Sequence, residues 1–159
     1  MRLFAIALSV LVPAQAMALS CIPPSVERSF GYAQDAEELY VVVSGELTFD
    51  ERKIPQRPKN PNNAPKLTLI PATLSGQSLS KAGFVTTFDQ LITIELRCFG
   101  PWCGSVTSGA EHLAFMKKTD AGYTLNVDPC NSAVFSKPTP QMLDAVTACM
   151  NGAKCSSEF

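Results

Sequence analysis

Six cysteines, Cys21, Cys98, Cys103, Cys130, Cys149 and Cys155, all lie downstream of a segment that reads as an export signal. No other feature constrains the fold as strongly. Met1-Arg2 is a short basic start, Leu3 to Val12 is apolar apart from one serine, and Pro13 breaks the run. Ala16-Met17-Ala18 supplies the small-x-small pattern cut by signal peptidase. Residues 1–18 are therefore expected to be a signal peptide, leaving a single domain over 19–159. Cleavage after Ser20 is the alternative site. A lipid anchor at Cys21 is a further alternative, but Ala18-Leu19-Ser20 lacks the usual Leu three positions before the cysteine. Secretion or residence in a periplasm is the expected localisation.

An even number of cysteines in an exported chain reads as a disulfide framework. Six cysteines allow about fifteen pairings, so spacing alone leaves the connectivity open. Two pairs look local. Cys98 and Cys103 enclose a Gly-Pro turn, and Cys149 and Cys155 straddle the helix-stop signal Asn151-Gly152. Cys21 and Cys130 then remain. A bridge between them would contribute about 4–5 kcal/mol by chain entropy.

The rest of the composition narrows function by exclusion. The length of 159 residues suits one domain with a real core. Thirteen Lys/Arg against fourteen Asp/Glu provide no field for gripping nucleic acid. After the first eighteen residues no apolar run is long enough to span a bilayer. One histidine, His112, forbids a HExxH zinc site. A lone histidine in a strand pattern reads as a hydrogen-bonded or surface residue. There is no GxSxG, P-loop or GxGxxG motif. Glu37-Glu38 and Asp50-Glu51 are adjacent, so their side chains diverge in extended chain. The expectation is a protein that is not an enzyme and needs no cofactor or metal. The enzymatic alternative is a thiol–disulfide oxidoreductase using Cys98 and Cys103, although their spacing is not CxxC.

Periodicity predicts mainly β structure with two helices. Ser25 caps a short helix carrying Val26, Phe30 and Ala33 on one face. Leu39 to Thr48 reads as a long strand, with a bulge or sharp coil at Gly45. Residues 53–65 carry four prolines and read as an exposed loop. Leu67 to Leu74 is a strand interrupted by Pro71, and Gly83 to Phe88 is a short strand. Leu91 to Cys98 alternates with Ile92, Ile94, Leu96 and Cys98 inward. Glu111 to Lys117 and Tyr123 to Asp128 form a hairpin. Thr139-Pro140 starts a last helix that Gly152 ends. Five or six strands at this spacing suggest a small sandwich or barrel.

The landmarks also fall in a known order. Cys21-Ile22-Pro23-Pro24-Ser25 opens the exported chain, and Phe30 and Ala33 precede the strand ending Val43-Ser44-Gly45. Cys103-Gly104, then Glu111 to Phe115, Gly122 and Asp128-Pro129-Cys130 follow. This order resembles the netrin-like module of the tissue inhibitors of metalloproteinases, over roughly residues 19 to 135. The resemblance implies a five-stranded antiparallel barrel of the oligosaccharide/oligonucleotide-binding (OB) type, flanked by an N-terminal and a C-terminal helix. It pairs Cys21 with Cys130. It places Leu19 where the family has its first cysteine, whose partner position is Cys103.

In that family the N-terminal cysteine chelates the protease zinc. Leu19 cannot be anchored by a disulfide, which weakens the case for protease inhibition. The expected function is therefore a non-enzymatic binding module for a secreted or envelope protein. Its candidate contact residues are Leu19, Ser20, Cys21, Ile22, Pro23 and Pro24, and loop 53–65 is a second candidate segment. Zinc-metalloprotease inhibition is the alternative binding function. The oligomeric state is not legible in the sequence.

Overall fold

The computed structural model describes residues 19–56, 60 and 63–156, so the expected signal peptide lies outside the described residues. Helix α1 spans Val26–Asp35 and strand β1 Leu39–Phe49. A short 3-10 turn, Glu51–Lys53, follows. Then come β2 (Leu67–Ser80), β3 (Gly83–Phe99), β4 (Trp102–Cys103), β5 (Ala110–Thr119), β6 (Gly122–Val127), β7 (Val134–Ser136) and α2 (Pro140–Met150).

Local chemistry sets both helix starts. The Ser25 hydroxyl accepts from the Arg28 backbone N–H at 3.2 Å, leaving fewer first-turn donors unpaired. The Thr139 hydroxyl accepts from Met142 N–H at 3.3 Å, with Pro140 beside it in the first turn. Gly152, at φ +94°, ends α2 in the left-handed region.

The strands pair in the order β1-β2-β3-β6-β5-β7, and β1 also pairs with β5. Five strands thus form a ring, with β7 added on β5 and β4 on β3. The expectation of a wholly antiparallel sheet needs correction, because β3 and β6 run parallel from Ile92/Tyr123 to Leu96/Val127. β2 and β3 are also longer than periodicity suggested. Pro71 does not interrupt β2. β1 pairing ends at Phe49 opposite Ala72, so the proline ring sits just past one ladder, where a missing N–H is tolerated. Residues 83–88 and 91–98 form one strand, because β2 continues through polar Ser75 to Ser80 alongside them.

Gly45 is not a bulge. It lies directly opposite Gly76 in a continuous β1–β2 register. The register shift falls instead at Ser78/Leu79, between β2 and β3. Both edges of β1 pair over Val43 to Leu47, with β2 on one side and β5 on the other.

One core fills the ring, with Val43, Leu47, Ile70, Leu74, Ile94, Leu96, Met116, Leu125 and Val127 fully buried. A second lies between α1, α2 and the outer side of β5, built on Val26, Phe30, Leu113, Phe115, Phe135 and Val146. Three disulfides join Cys21–Cys130, Cys98–Cys103 and Cys149–Cys155. Bonds of this number belong to an oxidising compartment. The Cys21 sulfur that a lipid would need is held in the first of them. Among the described residues no helix is long and apolar enough to cross a membrane.

Candidate functional site

The expected contact segment is fastened at two points. Cys21 is tied to Cys130, just beyond the end of β6. The Pro23 carbonyl accepts from Arg28 Nη1 at 2.8 Å, so the first turn of α1 holds the proline pair. Leu19, Ser20, Cys21, Ile22, Pro23 and Pro24 are all exposed, with Ile22 at 49%. Cys21 to Pro23 is therefore held while it is presented to solvent.

Leu19 and Cys21 are among the residues lining an apolar cleft of about 730 Å³. The β3–β4 hairpin tip, Pro101, Trp102 and Cys103, lines it as well. Gly104, Val106 and Pro129 complete the lining with Ile54, Pro55, Ala64 and Pro65 from the ends of the loop. Leu19 and Cys21 therefore meet the ends of loop 53–65 at this cleft, whereas Ser20, Ile22 and Pro24 line a separate groove against α1 and Cys130. Trp102 stands 41% exposed at its rim.

Backbone geometry explains why the tip is held there. Cys98 is opposite Cys103 and Phe99 opposite Trp102, closing a turn over Gly100-Pro101. Gly104 N–H donates to Arg97 O at 2.8 Å. A Cβ on Gly104 would fall 2.1 Å from Val127 O, so only glycine lets the chain just after β4 pass this close to the end of β6.

Loop 53–65 is less detached than its prolines suggested. Ile54 and Ala64 are partly buried and pack on the ring core. Residues 57–59, 61 and 62 of the loop lie outside the described residues.

The remaining candidates have structural partners. His112 is fully buried. Its Nε2 lies 2.9 Å from Thr107 O, which can only accept, so Nε2 carries the proton. Nδ1 then accepts from Ser136 Oγ at 3.1 Å, joining β5 to β7. The acidic pairs diverge and form no dyad. Glu38 accepts from Lys117 Nζ at 2.6 Å. Asp50 holds Arg52 through both carboxylate oxygens, while Glu51 accepts from Ser108 N–H. The Lys117 hydrogen bond lowers the Glu38 carboxyl below its ordinary value, and Glu38 raises Lys117. Arg52 lowers Asp50 in the same way. Among the described residues no three His, Cys, Asp or Glu side chains cluster to hold a metal. Cys98 is buried and Cys103 exposed, bridged across a hairpin rather than placed at a helix N-terminus.

Sequence reasoning missed Trp102 as a surface feature. The available signal was an aromatic next to a Gly-Pro turn, where a large apolar side chain cannot reach a core.

Comparison with family models, with curated proteins and with solved structures finds no match to this chain.

Proposed function

We propose that this protein is an exported, non-enzymatic binding module of the netrin-like, OB type. It engages a protein partner at the cleft lined by Leu19, Cys21 and Trp102. The observation that carries the reading is the meeting of the anchored N-terminal segment, the Trp102 hairpin and the loop ends at one apolar cleft. Partly exposed tryptophan beside an apolar recess is the kind of anchor that dominates interface energies. The strand order supports the OB-type reading, because the five ring strands follow one another as first, second, third, fifth, fourth, with the third and fifth parallel.

A photo-crosslinking residue at position 102 tests this reading against one at the distant, exposed position Leu91. The expected result is a discrete adduct with the same partner from position 102 only. Identical adducts from both positions, or none from 102, would overturn it.

A second reading, zinc-metalloprotease inhibition, is favoured by one particular observation. Leu19 and Cys103 line the same cleft, and these are the positions that a disulfide joins in the resembling family. Titration of the protein beginning at Leu19, and of a form beginning at Cys21, against metalloproteases tests it. Inhibition that strengthens in the Cys21 form supports the reading; the absence of inhibition by both forms removes it.

A further inference from the structure

Strand β3 outruns its neighbour on one side. β2 pairs along it from Gly83 to Arg97, whereas β6 joins only at Ile92, opposite Tyr123. Among the described residues, that edge of β3 therefore has no strand beside it from Gly83 to Leu91. Val85, Thr86, Thr87, Asp89, Gln90 and Leu91 are exposed, Val85 at 58% and Leu91 at 79%. β6 also has no β5 partner from Leu125 to Val127, but that stretch is shorter and opens beside Ser29, Tyr32 and Ala33 of α1.

Alternation tells which backbone groups the β3 edge presents. Cys98 N–H donates to Lys66 O on the β2 side, while Arg97 O accepts from Gly104 N–H on the other. The β2–β3 register is continuous from Arg97 back to Thr86, its shift falling beyond, at Ser78/Leu79. Odd-numbered residues of this stretch thus turn their N–H and C=O away from β2. Thr87 and Asp89 carry both groups on the open edge.

Edges of this kind are ordinarily guarded by lysine, by proline or by a bulge within them, because an open ladder is a template for another strand. From Val85 to Leu91 there is no lysine or proline, and Asp89 is the single charge. The bulge lies at one end of the stretch, not inside it. Val85-Thr86-Thr87-Phe88 is also rich in strand formers.

The stretch is complementary to itself. In an antiparallel pairing about a two-fold axis at Phe88, Thr87 lies opposite Asp89 of the second copy and Thr86 opposite Gln90. Val85 comes beside Leu91, which joins the two exposed apolar side chains of the edge. Thr87 and Asp89 then exchange N–H and C=O across the axis, twice by symmetry. An axis at Asp89 would set two carboxylates face to face, which is unfavourable. An axis at Thr87 would set Asp89 against Val85 and Leu91 against Gly83.

We propose that β3 pairs edge to edge with β3 of a second copy of this chain, in the register centred on Phe88, so that one sheet runs through a symmetric dimer. The inference does not depend on the partner cleft, whose Trp102 lies past the other end of β3. An adduct between two copies through position 91 is recognised by its mass and leaves the crosslinking test at position 102 intact.

The test is sedimentation equilibrium with amide hydrogen exchange, on the protein beginning at Leu19, over rising concentration. A reversible monomer–dimer equilibrium is expected. Protection at the Thr87 and Asp89 amides should grow with concentration, while that at Phe88 and Gln90, which face β2, should not. Thr87→Asp sets a carboxylate opposite Asp89 in both symmetric pairs and should weaken the dimer by roughly tenfold. Thr87→Lys should strengthen it. Thr87 is exposed, so both variants keep the core intact. Three results would overturn the proposal: a monomer at about 1 mM, protection of Thr87 and Asp89 that does not depend on concentration, or the same response to both substitutions.

Discussion

Gly45 on β1 lies directly opposite Gly76 on β2, and neither position has room for a side chain. A Cβ at Gly45 would meet Ser75 O at 2.3 Å, and one at Gly76 would meet Ser44 O at 2.1 Å. The close approach falls where β1 is paired on both sides, so no free edge can relax. Gly45→Ala should therefore destabilise the fold by about 1–3 kcal/mol or more, as overpacking does. Urea unfolding checks this; a variant within error of the parent would mean the strands have slack.

Cys21 and Cys130 share one bridge across 109 residues of sequence separation. Cys21→Ser and Cys130→Ser should each cost about 2–5 kcal/mol. The double variant should be no worse than either single, because the bond is lost only once. Additive losses in a denaturation cycle would contradict the pairing.

Loop 53–65 should tolerate shortening only between its packed ends. Removing 57–62 while keeping Ile54 and Ala64 should change stability little, since closure entropy depends weakly on length. Ile54→Ala should cost more, because Ile54 packs on the ring core. Paired melting curves distinguish the two. Equal losses would show that the middle of the loop also packs.

The Glu38–Lys117 pair predicts a pH dependence of definite sign. Glu38 is held below its ordinary 4.5, so its contribution is present above that value and fades as pH falls through the lower folded one. Lys117 is raised above 10.5, so the contribution is present below that and fades at higher pH. Both groups are at the surface, and salt should reduce the effect. The stability gap between the parent and Glu38→Gln should therefore narrow below pH 4.5. A gap that widens there would contradict the pairing.

Much of the framework was legible because local chemistry determined it. Ser25 and Thr139-Pro140 marked the helix starts, and alternation from Ile92 to Cys98 gave the buried face of β3. The two short-range disulfides followed from turn signals between their cysteines. What was missed depends on partners distant in sequence. Polar Ser75 to Ser80 carries no strand pattern and is in β2 because β3 lies beside it. β7, only Val134–Ser136, exists because β5 offers it an edge. The parallel β3–β6 seam was equally invisible to periodicity. The cleft draws on residues near 19, 54, 64, 102 and 129, so its assembly follows from ring closure and the Cys21–Cys130 bond.

The most direct test of the binding-cleft account is the affinity of the partner crosslinked at position 102, measured by calorimetry for three proteins. These are the parent, Trp102→Ala and Leu91→Ala; both replaced side chains are exposed, so both variants should fold. The account predicts a loss of roughly 30-fold for Trp102→Ala, matching about 2 kcal/mol for a central anchor, and no change for Leu91→Ala. Equal affinity for the parent and Trp102→Ala would contradict it.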